Sequence, residues 1–285
     1  MLSLPACAKV NLTLEVLGKR PDGYHEVATV LQTISLHDDL SFEPSDDLVL
    51  RTEGSRLPPE ENLVLKAARL LQQASFTKAG ALIRLTKRIP MAAGLGGGST
   101  DAASALLGLD RLWGTRLPEK DLLALAAQLG SDVPFFIRGG TALAEGRGEL
   151  ITPLPPLPHS WLVLLKPPLF LPGKTGALYR ALKSSMHTTG QSTKLLVDRL
   201  RTGAALSSAD FTNVFESVAF DVFPNLADYR HRLLEAGASH VHLAGSGPTL
   251  FTIVPTPEEG KLIEGRLSSQ RLEAYLAETV SAAPA

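Results

Sequence analysis

Apolar and polar residues alternate strictly in VNLTLEV, residues 10–16, so that Val10, Leu12, Leu14 and Val16 share one face. A period of two predicts a half-buried strand, with Lys9 and Asn11 together on its other face. The next stretch, GKRPDGYH at 18–25, contains Pro21, Asp22 and Gly23 and predicts a turn. Over 62–74 the spacing of Leu63, Ala67, Leu70 and Leu71 is that of a helix, and over 82–89 alternation returns for a second strand. A helix of small residues is predicted over 100–113. An amphipathic one follows over 118–129, closed by Gly130 at C′. Four prolines in TPLPPLPHS, 152–160, mark the best linker in the chain. Beyond it come a short buried strand at 161–165 and helices near 195–201 and 226–236, with Gly237 stopping the second. Residues 241–254 read as strand, glycine turn, strand, and no internal repeat emerges. This order predicts an α+β protein of two domains, 1–153 and 154–285, joined near the prolines.

Composition narrows the picture mainly by exclusion. With 285 residues, 44% hydrophobic and 20% charged, the chain has the make-up of a soluble globular protein with a sizeable core. A net charge of -1 leaves no broad basic surface for nucleic acid, so any anion recognition is local. Cys7 is the sole cysteine; it excludes a disulfide framework and is assigned no chemistry. The start MLSLPACAKVNL lacks a signal-peptide pattern and no apolar run reaches membrane-spanning length, which predicts a cytoplasmic protein. His240 and His242 alternate without a third ligand and read as a strand face, so no residue is assigned to a metal.

The most chemical stretch is IPMAAGLGGGSTDAA, 89–103, where four of the five positions 94–98 are glycine. A P-loop needs lysine after its last glycine, and Ser99 stands there. Gly173-Lys174-Thr175 carries that motif's tail, but Pro168 occupies the place of its leading glycine. The dinucleotide fingerprint G-x-G-x-x-G fits Gly94 and Gly96 and then meets Ser99 where its third glycine belongs. There remains a loop whose backbone N–H groups cradle a phosphate at a helix N-terminus, with Ser99 and Thr100 adding hydroxyls. The alternative is a flexible turn capped by Ser or Thr. Four glycines are an entropically expensive way to build a plain turn, which favours the cradle.

Other residues admit two readings. Lys9 and Asn11 are either solvated or aimed together at something across the sheet. Asp132, just after Gly130, is either a cap for the following turn or a reactive carboxylate. Tyr24 and His25 are an exposed loop pair or a binding pair. Residues 245–247 form a hairpin turn or a second loop approaching phosphate.

Residues 90–103 resemble the middle motif of the GHMP kinase superfamily, P-x-x-x-G-L-G-G-G-S-S-D-A-A, with Thr100 in place of the second serine. AKVNL at 8–12 is similar to the superfamily's P-A-K-[IVL]-N-L, with Cys7 in place of proline. LGSDVPFF at 129–136 and GSGPT at 245–249 match further motifs, whereas NVFE at 213–216 matches N-D-[LF]-E only in part and is left outside the site. AKVNL together with DGYH at 22–25 resembles, within the superfamily, the kinases of 4-diphosphocytidyl-2-C-methyl-D-erythritol in non-mevalonate isoprenoid biosynthesis. The resemblance runs from about residue 8 to 251.

This resemblance implies an N-terminal ATP-binding domain, a C-terminal substrate-binding domain and an active site in the cleft between them. It implies transfer of the γ-phosphoryl group of ATP to the acceptor's 2-hydroxyl, with Mg²⁺ accompanying ATP. Lys9 and Asp132 would be the catalytic pair. Asn62 would lie near the adenine and Lys87 and Pro90 near the nucleotide. Gly94, Leu95, Gly96, Gly97, Gly98, Ser99 and Thr100 would surround the phosphates. Asn11, Thr175 and Gly245 would contact the acceptor. Tyr24 and Tyr179 would stack on its cytosine and His25 would hydrogen-bond it, with Lys174 standing where serine is usual. An alcohol's pKa of roughly 15 far exceeds the ~3.9 of an ordinary Asp, so Asp132 is expected to accept the proton late in a loose transfer.

Overall fold

Two long strands, β1 (Leu2–Lys19) and β2 (His25–Ser45), form an antiparallel pair at the start of the chain. The turn between them is closed by Arg20 N donating to Tyr24 O at 2.8 Å and by Asp22 Oδ1 accepting Tyr24 N at 3.1 Å, with Gly23 at φ 85°. The structure, a computed structural model, describes residues 1–54 and 58–282. β3 (Leu48–Glu53), α1 (Leu63–Ser75) and β4 (Gly80–Thr86) follow, then α2 (Gly97–Trp113), α3 (Glu119–Leu129) and α4 (Val133–Arg138). β5 (Thr141–Gly146) and β6 (Leu150–Pro153) complete the first half. The second half comprises β7 (Trp161–Lys166), α5 (Lys174–Ala181), α6 (Gln191–Thr202), β8 (Thr212–Asn213) and α7 (Glu216–Val222). It ends with α8 (Leu226–Glu235), β9 (His242–Leu243), β10 (Leu250–Val254), α9 (Pro257–Ser269) and β11 (Glu273–Glu278).

A seven-stranded sheet runs β3-β4-β2-β1-β8, with β5 pairing β2 and β6 pairing β5; a four-stranded antiparallel sheet runs β11-β7-β10-β9. The proline-rich stretch lies between β6 and β7. β8 is contributed from beyond that stretch, and it lies parallel to β1 with Thr13 opposite Thr212 and Leu14 opposite Asn213. At the far end Val280 N donates to Thr33 O at 2.9 Å, which ties the last strand's exit to β2. No helix among the described residues is long and apolar enough to cross a membrane.

Several predicted boundaries move, each for a physical reason. β1 begins at Leu2 and is buried on both faces over 6–16, not half-buried, because Thr13 and Glu15 are covered by α6. Thr193 N donates to Glu15 Oε2 at 2.7 Å, and Thr193 Oγ1 to Thr13 Oγ1 at 3.0 Å. The second strand stops at Thr86 rather than residue 89, since Arg88 N and Ile89 N turn to the buried Asp38 carboxylate at 2.5 and 2.8 Å. α2 starts at Gly97, three residues before the predicted start. Gly130 does end α3, but in extended backbone (φ 162°) rather than the left-handed conformation expected at C′.

Three apolar clusters hold the elements. The first packs α1–α4 on the large sheet, the second surrounds β7 and β10 with α5, α7, α8 and α9, and the third joins Val10 and Leu12 of β1 to Leu164 and Phe251 of the small sheet. α2 is rich in small residues because it lies close on β2: a Cβ on Gly108 would fall 2.3 Å from the Phe42 ring. Burial at that density is what resists even one added methyl.

Candidate active site

Lys9 is positioned by the strand it belongs to. A register shift between Cys7 and Lys9 breaks the ladder, and Lys9 N instead donates to Leu95 O at 3.0 Å, which fastens β1 to the glycine loop. Its ammonium donates to Asn11 Oδ1 at 2.7 Å; Asn11 Nδ2 in turn donates to Thr29 Oγ1 at 2.8 Å. Asp132 immediately precedes α4, yet its carboxylate makes no cap hydrogen bond to that helix. The capping alternative therefore fails. Lys9 Nζ lies 3.6 Å from Asp132 Oδ2, and the side chains differ sharply in exposure, 6% for Lys9 against 41% for Asp132. A fixed, buried ammonium thus faces a half-exposed carboxylate at the surface of a cavity, where a substrate group can reach it.

Two cavities adjoin here. The larger, about 870 Å³, is lined by Lys9, Asn11 and Asp132 together with Tyr24, His25 and Tyr179. The smaller, about 330 Å³, is lined by Asn62, Lys87, Pro90, Leu95 and the loop glycines. Gly94, Gly96 and Ser99 line both, so the glycine loop is their common wall. Gly94 and Gly96 have φ 87° and 75°, and a Cβ on Gly96 would fall 2.6 Å from the Phe136 ring. The first intrahelical bond of α2 runs from Thr100 N to Gly96 O at 2.9 Å. The amides of Gly97, Gly98 and Ser99 consequently point out of the helix end, where aligned dipoles favour an anion.

Thr100 does not belong with them, which corrects the expectation that it contacts phosphate. Because α2 starts earlier, its amide is inside the helix ladder, and its side chain is 2% exposed and faces a separate small cavity beside Cys7 and Thr33. Cys7 itself is buried, its thiol pushed up to about 11 by that burial, and it has no part in the site.

Lys87 is at the wall of the smaller cavity, but its ammonium is not free. It bonds Asp38 Oδ2 and lies 2.6 Å from Asp101 Oδ2, all three side chains being buried. Sequence spacing does not reveal this cluster, since Lys87 and Asp38 are far apart along the chain. Asn62 Oδ1 accepts Val64 N at 3.0 Å and caps α1. Burial pushes the Asp101 carboxyl up to about 7, against Lys87 and with help from Asp38, and its Oδ1 has no hydrogen-bond partner. A folded-state value above the unfolded one means that the folded chain binds the extra proton between about pH 4 and 7, so stability falls as pH rises through that window. Asp101→Asn removes that dependence. The variant's Tm relative to the parent should therefore improve from about pH 5 to about pH 8. A constant difference across that range would place the proton elsewhere.

At the other end of the larger cavity the aromatic groups meet. His25 stacks on Tyr179 with ring centroids 4.4 Å apart and planes within 14°, and Phe215 meets Tyr179 edge-on at 5.0 Å. The Arg147 guanidinium lies over Tyr24, 4.8 Å from its centroid. Burial, with lesser contributions from His187 and Lys19, lowers the His25 pKa, so its ring is neutral at pH 7 and offers one donor and one acceptor. Thr175 Oγ1 is 2.9 Å from Ser246 Oγ, and Gly245 (φ 56°) lines the cavity. The 245–247 segment is both a hairpin turn and part of the cavity wall, so its two readings do not exclude each other. Three contributors were missed from sequence. Arg147 has no motif around it. Asn213, set aside with NVFE, donates from Nδ2 to Leu243 O at 2.9 Å and Gly245 O at 2.8 Å, and Glu216 Oε1 accepts Leu243 N at 2.8 Å. The partial N-D-[LF]-E match was the available signal.

Residues 62–140 match the GHMP kinases N terminal domain family and residues 194–273 the GHMP kinases C terminal family. The 4-diphosphocytidyl-2-C-methyl-D-erythritol kinase of Dehalococcoides mccartyi is 46% identical over 98% of this chain and 99% of its own. That of Pelotomaculum thermopropionicum is 48% identical over 92% of each. A crystal structure of 4-(cytidine 5'-diphospho)-2C-methyl-D-erythritol kinase superposes with a TM-score of 0.84 at 36% identity, covering 98% of this chain and 99% of that one. Homoserine kinase from Cytophaga hutchinsonii, with a TM-score of 0.73 at 19% identity over 99% and 95%, shares the fold. With the lysine–aspartate pair, the glycine wall and the aromatic end all carried on this frame, the chain belongs to the 4-diphosphocytidyl-2-C-methyl-D-erythritol kinases, a branch of the GHMP kinases.

Proposed function

We propose that the protein transfers the γ-phosphoryl group of ATP to the 2-hydroxyl of 4-diphosphocytidyl-2-C-methyl-D-erythritol. The observation that carries this reading is the shared glycine wall, which separates a small cavity on the α2 side from a larger one holding Lys9 and Asp132. A donor nucleotide in the small cavity would present its terminal phosphate across Gly94 and Gly96 to an acceptor in the large one. The free amides at the start of α2 would hold its phosphates. Residues 1–153 then serve as the ATP-binding domain and 154–285 as the substrate-binding domain, although β8 crosses between them.

Phosphoryl transfer is loose, and positioning and charge stabilisation supply most of the catalysis. Asn11 fixes Lys9, and Lys9 holds Asp132 in place while offsetting charge between alcohol and phosphate. Asp132 orients the hydroxyl and takes its proton as the new P–O bond forms. Among the described residues no three His, Cys, Asp or Glu groups are arranged to hold a metal. The Mg²⁺ that accompanies ATP would therefore be held largely by phosphate oxygens and water, where it neutralises phosphate charge.

Incubation with Mg-ATP and each candidate alcohol, followed by ³¹P NMR, tests the reading. A new phosphomonoester is expected with the cytidyl acceptor and not with homoserine or mevalonate. Transfer to either of those instead, or release of CO₂ from a diphosphomevalonate, would sink it. Tyr24 and His25 should act on the base alone. Tyr24→Ala should raise the acceptor KM by about tenfold, in keeping with ~1–3 kcal/mol per aromatic–base stack, and leave ATP binding intact. An equal effect on both substrates would contradict stacking.

A further inference from the structure

The turn between β9 and β10 is gripped from two directions. From one side come Asn213 and Glu216, already described. From the other comes Lys174, the first residue of α5. Its ammonium donates to Ser246 Oγ at 3.0 Å, to Ser246 O at 3.3 Å and to Gly247 O. An ammonium has three protons, and here three acceptors on a single turn face it. The turn in turn lies against the chemistry: a Cβ on Gly245 would meet Gly94 O at 3.0 Å, Asn11 Oδ1 at 3.1 Å and Lys9 Nζ at 3.1 Å. Five residues along α5, Tyr179 stands at the base end of the same cavity. Lys174 itself does not line that cavity, whereas its neighbours Thr175 and Gly176 do. A serine at this position would offer one proton on a short arm and could not reach all three acceptors.

We propose that Lys174 is a positioning residue for the acceptor substrate. It splints the first turn of α5 to the 245–247 turn, so that the ring of Tyr179 and the backbone of Gly245 keep a fixed separation while the acceptor spans them. The inference rests on the acceptor assigned under Proposed function. The position of this lysine is not incidental. Burial, with Lys9 on β1 and Lys166 on β7 adding repulsion and Asp132 opposing, pushes its ammonium down to about 7. At neutral pH the ammonium and the neutral amine are therefore both populated, and it is the ammonium that presents three protons to the turn.

Two variants and two measurements test the splint. Lys174→Met keeps the stem and removes the protons; Lys174→Arg keeps charge and donors. In the ligand-free protein, amide hydrogen exchange should accelerate together over 174–181 and 244–249 in Lys174→Met and return toward the parent rate in Lys174→Arg. Unchanged exchange at those two segments overturns the splint whatever the activity. With substrates, Lys174→Met should raise the acceptor KM by about tenfold, as expected for loss of charge-assisted hydrogen bonds, with the ATP KM within about twofold. Equal changes in both KM values, or faster exchange with an unchanged acceptor KM, overturn the positioning role. If the parent protein phosphorylates no cytidyl acceptor, the functional assignment fails, and the exchange measurement still decides the splint.

Discussion

Asp132→Asn should lower turnover by roughly 10²–10⁴ while leaving ATP affinity within about twofold. The substitution is nearly isosteric and removes no helix cap, because the Asp132 carboxylate makes none. What it removes is the proton acceptor and the counter-charge of Lys9, whose ammonium would keep its hydrogen bond to Asn11. The smaller cavity does not include Asp132, so donor binding should survive. Steady-state kinetics with a separate equilibrium measurement of nucleotide binding would distinguish the two. Turnover within about threefold of the parent would remove Asp132 from the mechanism. Parallel loss of ATP binding would mean that the carboxylate supports the loop rather than the reaction.

Gly94→Ala should be comparably damaging for a different reason. The new Cβ would lie 2.2 Å from Ala244 O and 3.0 Å from Gly247 N and O, all backbone atoms, at φ 87°. Neither partner is the far end of a flexible side chain, so the glycine loop and the 245–247 turn must move apart. A misplacement of about 1 Å at such a site costs on the order of 10²-fold in rate. Since Gly94 lines both cavities, kcat/KM should fall by at least that factor for donor and acceptor alike. Gly114→Ala provides the control: φ is 63°, but nothing lies within 4 Å of its Cβ. It should show only the strain of a left-handed alanine, roughly 1–2 kcal/mol by thermal unfolding, with kinetics near the parent's. If the two variants behave alike, the contact between loop and turn does not matter.

How much of this was legible in the sequence depends on the distance over which each feature is encoded. The turn before β2 and α1 follow from turn chemistry and local periodicity and lie close to where those place them, whereas the first strand exists as expected but starts eight residues earlier and is buried on both faces. The glycine loop was readable because its residues are contiguous; Thr100 was misassigned because a helix start was placed three residues late. Gly97 and Gly98 have low helix propensity, and only packing carries α2 back to Gly97. β2 went unpredicted: its partner β1 has three register shifts, and its own burial over 27–34 is continuous, so no clean alternation is visible. The Lys87–Asp38–Asp101 cluster and the Lys174 grip on the 245–247 turn are products of tertiary structure alone. Motif positions single out Lys87, Asp101 and Lys174, but nothing local says that Lys87 meets Asp38 or that Lys174 reaches the 245–247 turn.

The short strand β8 has a consequence for how the protein is made. It pairs with the outer edge of β1 at Thr13 and Leu14, while Thr193 N holds the Glu15 side chain. Both contributions come from late in the chain. At ribosomal speeds of about 5–20 residues per second, β1 waits roughly 10–40 s between its own synthesis and that of its edge partner. During that interval the edge of β1 at Thr13 and Leu14, in the middle of an apolar strand, is unpaired, the kind of edge that pairs with neighbouring nascent chains. The first half of this enzyme is thus a poor candidate for expression alone, and polysome crowding is the circumstance in which its yield should be most sensitive to chaperones.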